Sequence, residues 1–206
     1  MSSGNYRRSR SLETAEGSDI SRRAAICGAA ALGLLGLEAL GAGAAFASAL
    51  RVGATAPPAN LASLNGERLS TSELRGQVVI LCFWATWCVP CRAELAILAA
   101  YSALHAHEGL QVLGFSLDDA EDLAKVQAVA ATLPFPNGLL TPASAPGYGR
   151  IWRLPVNFVI ARDGRLASNG WLEKNPAWTA DRLEQLVTPL LAEVPLAPGA
   201  PPRTAF

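Results

Sequence analysis

Apolar positions along the chain gather into long and short runs. Ala24 to Leu50 is apolar almost throughout, with Glu38 its one charge. Val78 to Ala85, Gln111 to Leu117 and Val156 to Ala161 are short apolar runs without alternation, the pattern of strands buried on both faces. Between them polar residues return at helical spacing. A helix is predicted from about Cys88 to His105, with Ala93, Leu95, Ile97, Leu98 and Leu104 toward the core and Gly109 as its stop. A second is predicted over Ala120 to Leu133, introduced by Asp118 and Asp119. A last one covers Thr179 to Ala192, with Leu183, Leu186, Val187, Leu190 and Leu191 on one side. Asn65-Gly66, between Leu61–Leu64 and Arg68-Leu69, is a hairpin turn signal. Ser70 and Glu73 have capping-box spacing for a short helical turn that closes near Gly76. A short helix is expected around Ser144 to Trp152, and Asp163-Gly164 turns the third strand into a hairpin arm over Arg165 to Ser168. Strands alternating with helices predict an α/β fold with parallel pairing through crossovers.

Composition narrows the function classes. Half of the 206 residues are hydrophobic and 17% are charged, too apolar for a disordered chain. Seventeen basic and 17 acidic side chains leave no net field to draw nucleic acid or an anionic membrane surface. Four cysteines are too few for a disulfide scaffold of this length. The first apolar run follows Arg22-Arg23 and ends in Ala47-Ser48-Ala49, a small-x-small cleavage pattern. With its Gly-rich core it reads as an export signal over residues 1–49, by the twin-arginine route. An uncleaved membrane anchor is the competing reading, since about 20 apolar residues span a bilayer. Glu38 counts against a permanent span, at about 2–3 kcal/mol or more near its centre. Cys27 reads as a passenger. Cys82, Cys88 and Cys91 remain, an odd number, so at least one thiol stands outside any internal disulfide.

The chemistry concentrates at Trp87-Cys88-Val89-Pro90-Cys91, a C-x-x-C where a strand gives way to a helix. A helix start offers unpaired N–H groups and positive partial charge, which favour thiolate over thiol. Cys88, expected to be exposed after Trp87, is the nucleophile; Cys91, further into the helix, resolves the mixed disulfide. A structural disulfide and half a zinc site are the other uses of this spacing; a zinc site wants a second Cys or His pair. His105 and His107 lie near a helix end, where solvent exposure is expected. No metal and no cofactor are expected.

Residues 83 to 94, Phe-Trp-Ala-Thr-Trp-Cys-Val-Pro-Cys-Arg-Ala-Glu, resemble the TlpA/ResA-like branch of exported thioredoxin-fold proteins. The resemblance extends to the lead-in Gly53 to Pro57, the Asn65-Gly66 hairpin, Leu74-Arg75-Gly76 and Leu154-Pro155. It implies a thioredoxin-like central mixed β-sheet flanked by helices, with an N-terminal β-hairpin extension, over residues 50–194. Residues 195–206 then form a Pro-rich flexible tail. It also implies that Pro155 is a cis-proline facing the sulfurs, and that Leu154 and Trp87 meet the client. Glu94 matches an acidic residue that tunes thiol ionisation; a surface carboxylate, paired with Arg92 or solvated, is the equal alternative. Three positions depart from the branch. Cys82 stands where a buried Asp or Asn is common, Ala96 replaces a proline, and Val156-Asn157 replaces two threonines. Cys82 reads as a small apolar filler beneath the dithiol, with a redox role as the alternative.

The resemblance implies thiol–disulfide exchange with disulfide-bearing client proteins, apocytochrome c among them, outside the cytoplasm. It also implies a membrane thiol-electron donor of the DsbD/CcdA type. Val89-Pro90 holds no cation to stabilise a thiolate, which favours a reductant over an oxidant or isomerase. A peroxidase site of the peroxiredoxin type needs Pro and Thr where Leu81 and Ala85 stand. A Sco-type copper chaperone needs a wider cysteine spacing and a distant histidine. A non-catalytic thioredoxin-fold binding module remains the alternative from another class, and two intact cysteines argue against it.

Overall fold

A computed structural model describes residues 50–193. The expected export signal, Cys27 and the expected tail therefore lie outside the described residues. Five strands form the central sheet: β3 (Val78–Trp84), β4 (Leu110–Ser116), β5 (Asn137–Leu139), β6 (Val156–Ile160) and β7 (Leu166–Asn169). Their order is β5-β4-β3-β6-β7. β4 runs parallel to β3 and to β5, whereas β6 is antiparallel to β3 and to β7. The sheet is thus mixed.

All seven residues of β3 are buried because both faces of the sheet are covered. Alternation along the strand sorts them. Val78, Ile80, Cys82 and Trp84 join a core with Cys91, Leu95, Leu98 and Trp178. Val79, Leu81 and Phe83 join a second core with Phe115, Tyr148, Phe158 and Leu166. The hairpin of β1 (Asn60–Ala62) and β2 (Arg68–Ser70) turns through Gly66, whose φ is +88°. It covers the β5 edge, where Leu64 N–H donates to the Asn137 carbonyl at 2.8 Å. At the other edge Gly53 N–H donates to the Leu166 carbonyl, also at 2.8 Å. Neither edge is left open for pairing with another chain at these points.

The long helix α1 (Val89–His105) buries Cys91, Glu94, Leu95, Leu98, Tyr101, Ser102 and His105. These recur every three or four residues, one face of a helix. The expected face was partly wrong: Ala93 is exposed and Leu104 is 63% exposed. Three polar members, Glu94, Ser102 and His105, hide the true stripe from a reading of apolar residues alone. His105 is buried, not solvated; its Nδ1 meets Glu108 Oε1 at 3.0 Å and its ring lies 4.2 Å from that of Tyr101. Gly109 stops the segment at φ +84° after one 3-10 turn.

Other elements are shorter than expected. The second helix reduces to a 3-10 turn and α2 (Leu123–Ala130). The segment 144–152 holds one 3-10 turn, Pro146–Tyr148. The last helix breaks at Val187 into α3 (Ala180–Leu186) and α4 (Thr188–Ala192), because Pro189 has no N–H to continue the ladder. Ser70 to Gln77 forms hydrogen-bonded turns rather than a capped helix: Glu73 N–H donates to the Ser70 carbonyl, not to its hydroxyl. Strand β5 escapes prediction, since three residues with a central glycine next to Pro136 carry no strand signal.

Candidate active site

β3 delivers the chain to the site and α1 carries it away. Between them Ala85, Thr86 and Trp87 make a turn, closed by Cys88 N–H donating to the Ala85 carbonyl at 3.1 Å. Asp118, just past β4, fixes that turn. Its carboxylate accepts from Thr86 N–H at 2.8 Å, Thr86 Oγ1 at 2.5 Å and Ser116 Oγ at 2.6 Å. Burial would raise its pKa, but these hydrogen bonds outweigh it and hold the carboxyl below the ordinary range. Asp118 was expected to introduce a helix; its work is instead at the entrance to the dithiol.

Cys88 caps α1 and forms a disulfide with Cys91. Its Sγ accepts the Cys91 N–H at 3.3 Å, so a helix-end donor already points at this sulfur. Cys88 is 5% exposed and Cys91 fully buried. The expectation that Cys88 stands exposed is thus corrected: in the disulfide state it is nearly buried at the edge of the groove, and Trp87 and Val89 beside it hold the surface at 66% and 70% exposure. The Leu154–Pro155 peptide bond is cis. Leu154 is half-buried and lines the same groove as Trp87 and Cys88.

Beneath the dithiol lies a sealed polar cluster. Glu94, one turn past Cys91, is 1% exposed, which overturns its reading as a surface carboxylate. It accepts from Trp178 N–H at 2.8 Å and from the Asn157 amide at 3.2 Å to each oxygen. Cys82 Sγ, 3.8 Å from Glu94 Oε1, points its thiol at the same carboxylate. Burial pushes Glu94 up to about 7, against the lowering pull of Trp178, Asn157, Cys82 and the Arg182 charge. Burial, then the Glu94 charge and hydrogen bond, push the Cys82 thiol well up, so it stays protonated. Asn157 lies opposite Cys82 in the β3–β6 register and also donates to the Pro176 carbonyl at 3.1 Å. It ties the strand after the cis-proline to both Glu94 and the segment before α3. Asn157 was visible in the sequence only as a departure from threonine. Trp178 left no signal, because it contributes a main-chain N–H.

Cys82, Cys88, Cys91 and Glu94 thus come together, with Leu154 at the rim; His105 and His107 lie at the other end of α1, about 25 Å of helix away. A family model described as AhpC/TSA matches residues 52–168. The chain belongs to the AhpC/TSA family. Within it the chain is a thiol-disulfide oxidoreductase of the ResA/TlpA-like type, with a thioredoxin fold. It is 31% identical over 140 residues to the thiol-disulfide oxidoreductase ResA of Oceanobacillus iheyensis, covering 65% of this chain and 70% of that one. A secreted thiol-disulfide isomerase from Corynebacterium glutamicum superposes with TM-score 0.55 at 27% identity, over 66% of this chain and 85% of that one. A thioredoxin family thiol:disulfide interchange protein from Chlorobium tepidum shares the fold, with TM-score 0.59 at 23% identity over 69% of this chain and 98% of that one. Among the described residues of this family member, no helix is long and apolar enough to cross a membrane.

Proposed function

We propose that the protein reduces disulfides in exported client proteins, apocytochrome c haem-site thiols among them. The observation that carries this reading is the buried carboxylate of Glu94 one helical turn from Cys91. A negative charge and a dry surrounding disfavour a nearby thiolate. Beyond what the helix end gives Cys88, the reduced state then lacks the strong thiolate stabilisation that makes an oxidant of a C-x-x-C protein, and it gives up its electrons readily. In the proposed cycle the Cys88 thiolate attacks a client disulfide and expels one client thiolate. Cys91, its proton taken by Glu94, attacks the Cys88 sulfur and releases the second. Two electrons pass to the client and the Cys88–Cys91 disulfide forms. Leu154 and the cis-Pro155 loop present the main chain to the client, and Trp87 packs on it; among the described residues no main-chain hydrogen bond engages Arg150 to Leu154. Return to the dithiol needs a thiol-electron donor, assigned to a membrane protein of the DsbD/CcdA type. Export by the twin-arginine route rests on Arg22-Arg23 ahead of the Gly-rich apolar run. Titration against glutathione tests the direction: a potential below about −200 mV is expected, and one near −120 mV reverses it.

A further inference from the structure

Six large hydrophobic side chains stand exposed among the described residues, and three of them, Trp87, Val89 and Trp152, line one open groove. Cys88 and Leu154 line the same groove, and its only charged lining residues are Arg150 and Arg153. Trp152 is 72% exposed yet braced. Its ring stacks on Trp171 at 5.6 Å with 7° between planes, and the Arg153 guanidinium sits 5.7 Å from both ring centroids. Arg153 is itself held, Nη2 donating to the carbonyls of Gly170, Trp171 and Glu173 at 2.6, 3.2 and 3.0 Å. A ring fixed in advance loses little freedom on binding, which is what an anchor at an interface requires. Among the described residues neither arginine has a carboxylate partner. Arg150 is exposed and makes no hydrogen bond there. Asp118, beside the lining residue Leu117, turns inward onto Thr86 and Ser116 and is not part of the groove's lining.

We propose that this groove selects its clients: it takes an extended segment whose cysteine is flanked by an acidic residue, placed on Arg150, and by an aromatic or branched aliphatic side chain, laid on Trp152. The inference rests on the thiol–disulfide exchange reading at Cys88. Charge complementarity picks the occupant, since the groove offers cations and an apolar ring and no lining anion.

The test is single-turnover reduction by the reduced protein of three peptides, each with one cysteine held as a mixed disulfide with 2-mercaptoethanol. Glutamate, serine or lysine flanks the cysteine, with one constant phenylalanine. The Cys88 thiolate attacks the peptide sulfur and expels 2-mercaptoethanol; Cys91 then frees the peptide thiol as the protein disulfide closes. Each rate is divided by that protein's own rate with hydroxyethyl disulfide. The glutamate peptide is expected to react about tenfold faster than the lysine peptide at low ionic strength, with the gap closing as salt screens it. Arg150→Glu should erase or invert the order, and Trp152→Ala should slow all three peptides. Equal rates for the three peptides, or an order that survives Arg150→Glu, overturns the inference. So does a dimer in sedimentation that Trp152→Ala dissociates, which would give the groove to a second copy. No reaction with hydroxyethyl disulfide would instead defeat the exchange reading.

Discussion

The two sides of the dithiol are built on opposite rules. Toward solvent, apolar groups are left out: Trp87, Val89 and Trp152 stand exposed around a nearly buried Cys88. Toward the core, polar groups are taken in: Glu94 and Asn157 are at most 1% exposed beside Cys82 and Cys91. In the proposed function the outer side presents contact area to a client, and the inner side manages a proton. Each violates the usual sorting of residues, and each violation is costly unless used. The inner cluster offsets its cost with hydrogen bonds from Trp178, Asn157 and Cys82 to one carboxylate.

The comparison breaks most visibly at the sulfurs. Cys88→Ala should abolish disulfide reduction and trap no client, while Cys91→Ala should accumulate mixed disulfides at Cys88. Insulin reduction and non-reducing gels read both, and equal trapping by the two variants would contradict the division of roles. On the inner side, Glu94→Gln should slow resolution by about 10²-fold and flatten the pH profile near the carboxyl's value of about 7.

The same group gives a stability test with a definite sign. Glu94 is raised from 4.5 in the free side chain to about 7 in the fold. Below 4.5 both states hold the proton and nothing is lost. Between those values the unfolded chain releases its proton while the fold retains it, so stability falls as pH rises. The full loss is about 3 kcal/mol. Denaturation of Glu94→Gln against the parent from pH 4 to 8 should show the variant gaining relative stability by that order; parallel curves would remove the buried charge from the account.

Cys82 sharpens the picture with the smallest effect. It is the one free cysteine among the described residues, fully buried, and the Cys88–Cys91 bridge leaves it unpaired. Cys82→Ala should cost about 1–2 kcal/mol and keep turnover within twofold, as expected for a filler whose thiol is a weak donor. Peptide mapping of the oxidised protein should find a free thiol at Cys82; a Cys82–Cys91 bridge would assign it a redox role.

The buried runs made β3, β4 and β6 legible, because strands covered on both faces lose their alternation. Asn65-Gly66 and Asp163-Gly164 placed both hairpins, since few residues fit such turns. Short elements were not legible: β5, the single turn at Pro146–Tyr148 and the break at Val187 depend on neighbours rather than on local preference. At the site, the sequence located the sulfurs but left Glu94 suspended between core and surface.

What the sequence determined by itself is what local chain geometry dictates. A C-x-x-C at a strand-to-helix junction sets one sulfur on the helix cap and the next a turn along it, with a helix-end N–H directed at the first. What tertiary structure decided is everything that requires distant segments to meet. Glu94 acquires its buried setting only because Asn157, 63 residues away, and Trp178, 84 away, close over it. A carboxylate's ionisation depends on whether water or protein surrounds it, and no local pattern states which; that is settled when β6 and the segment before α3 seal the space beneath Cys91.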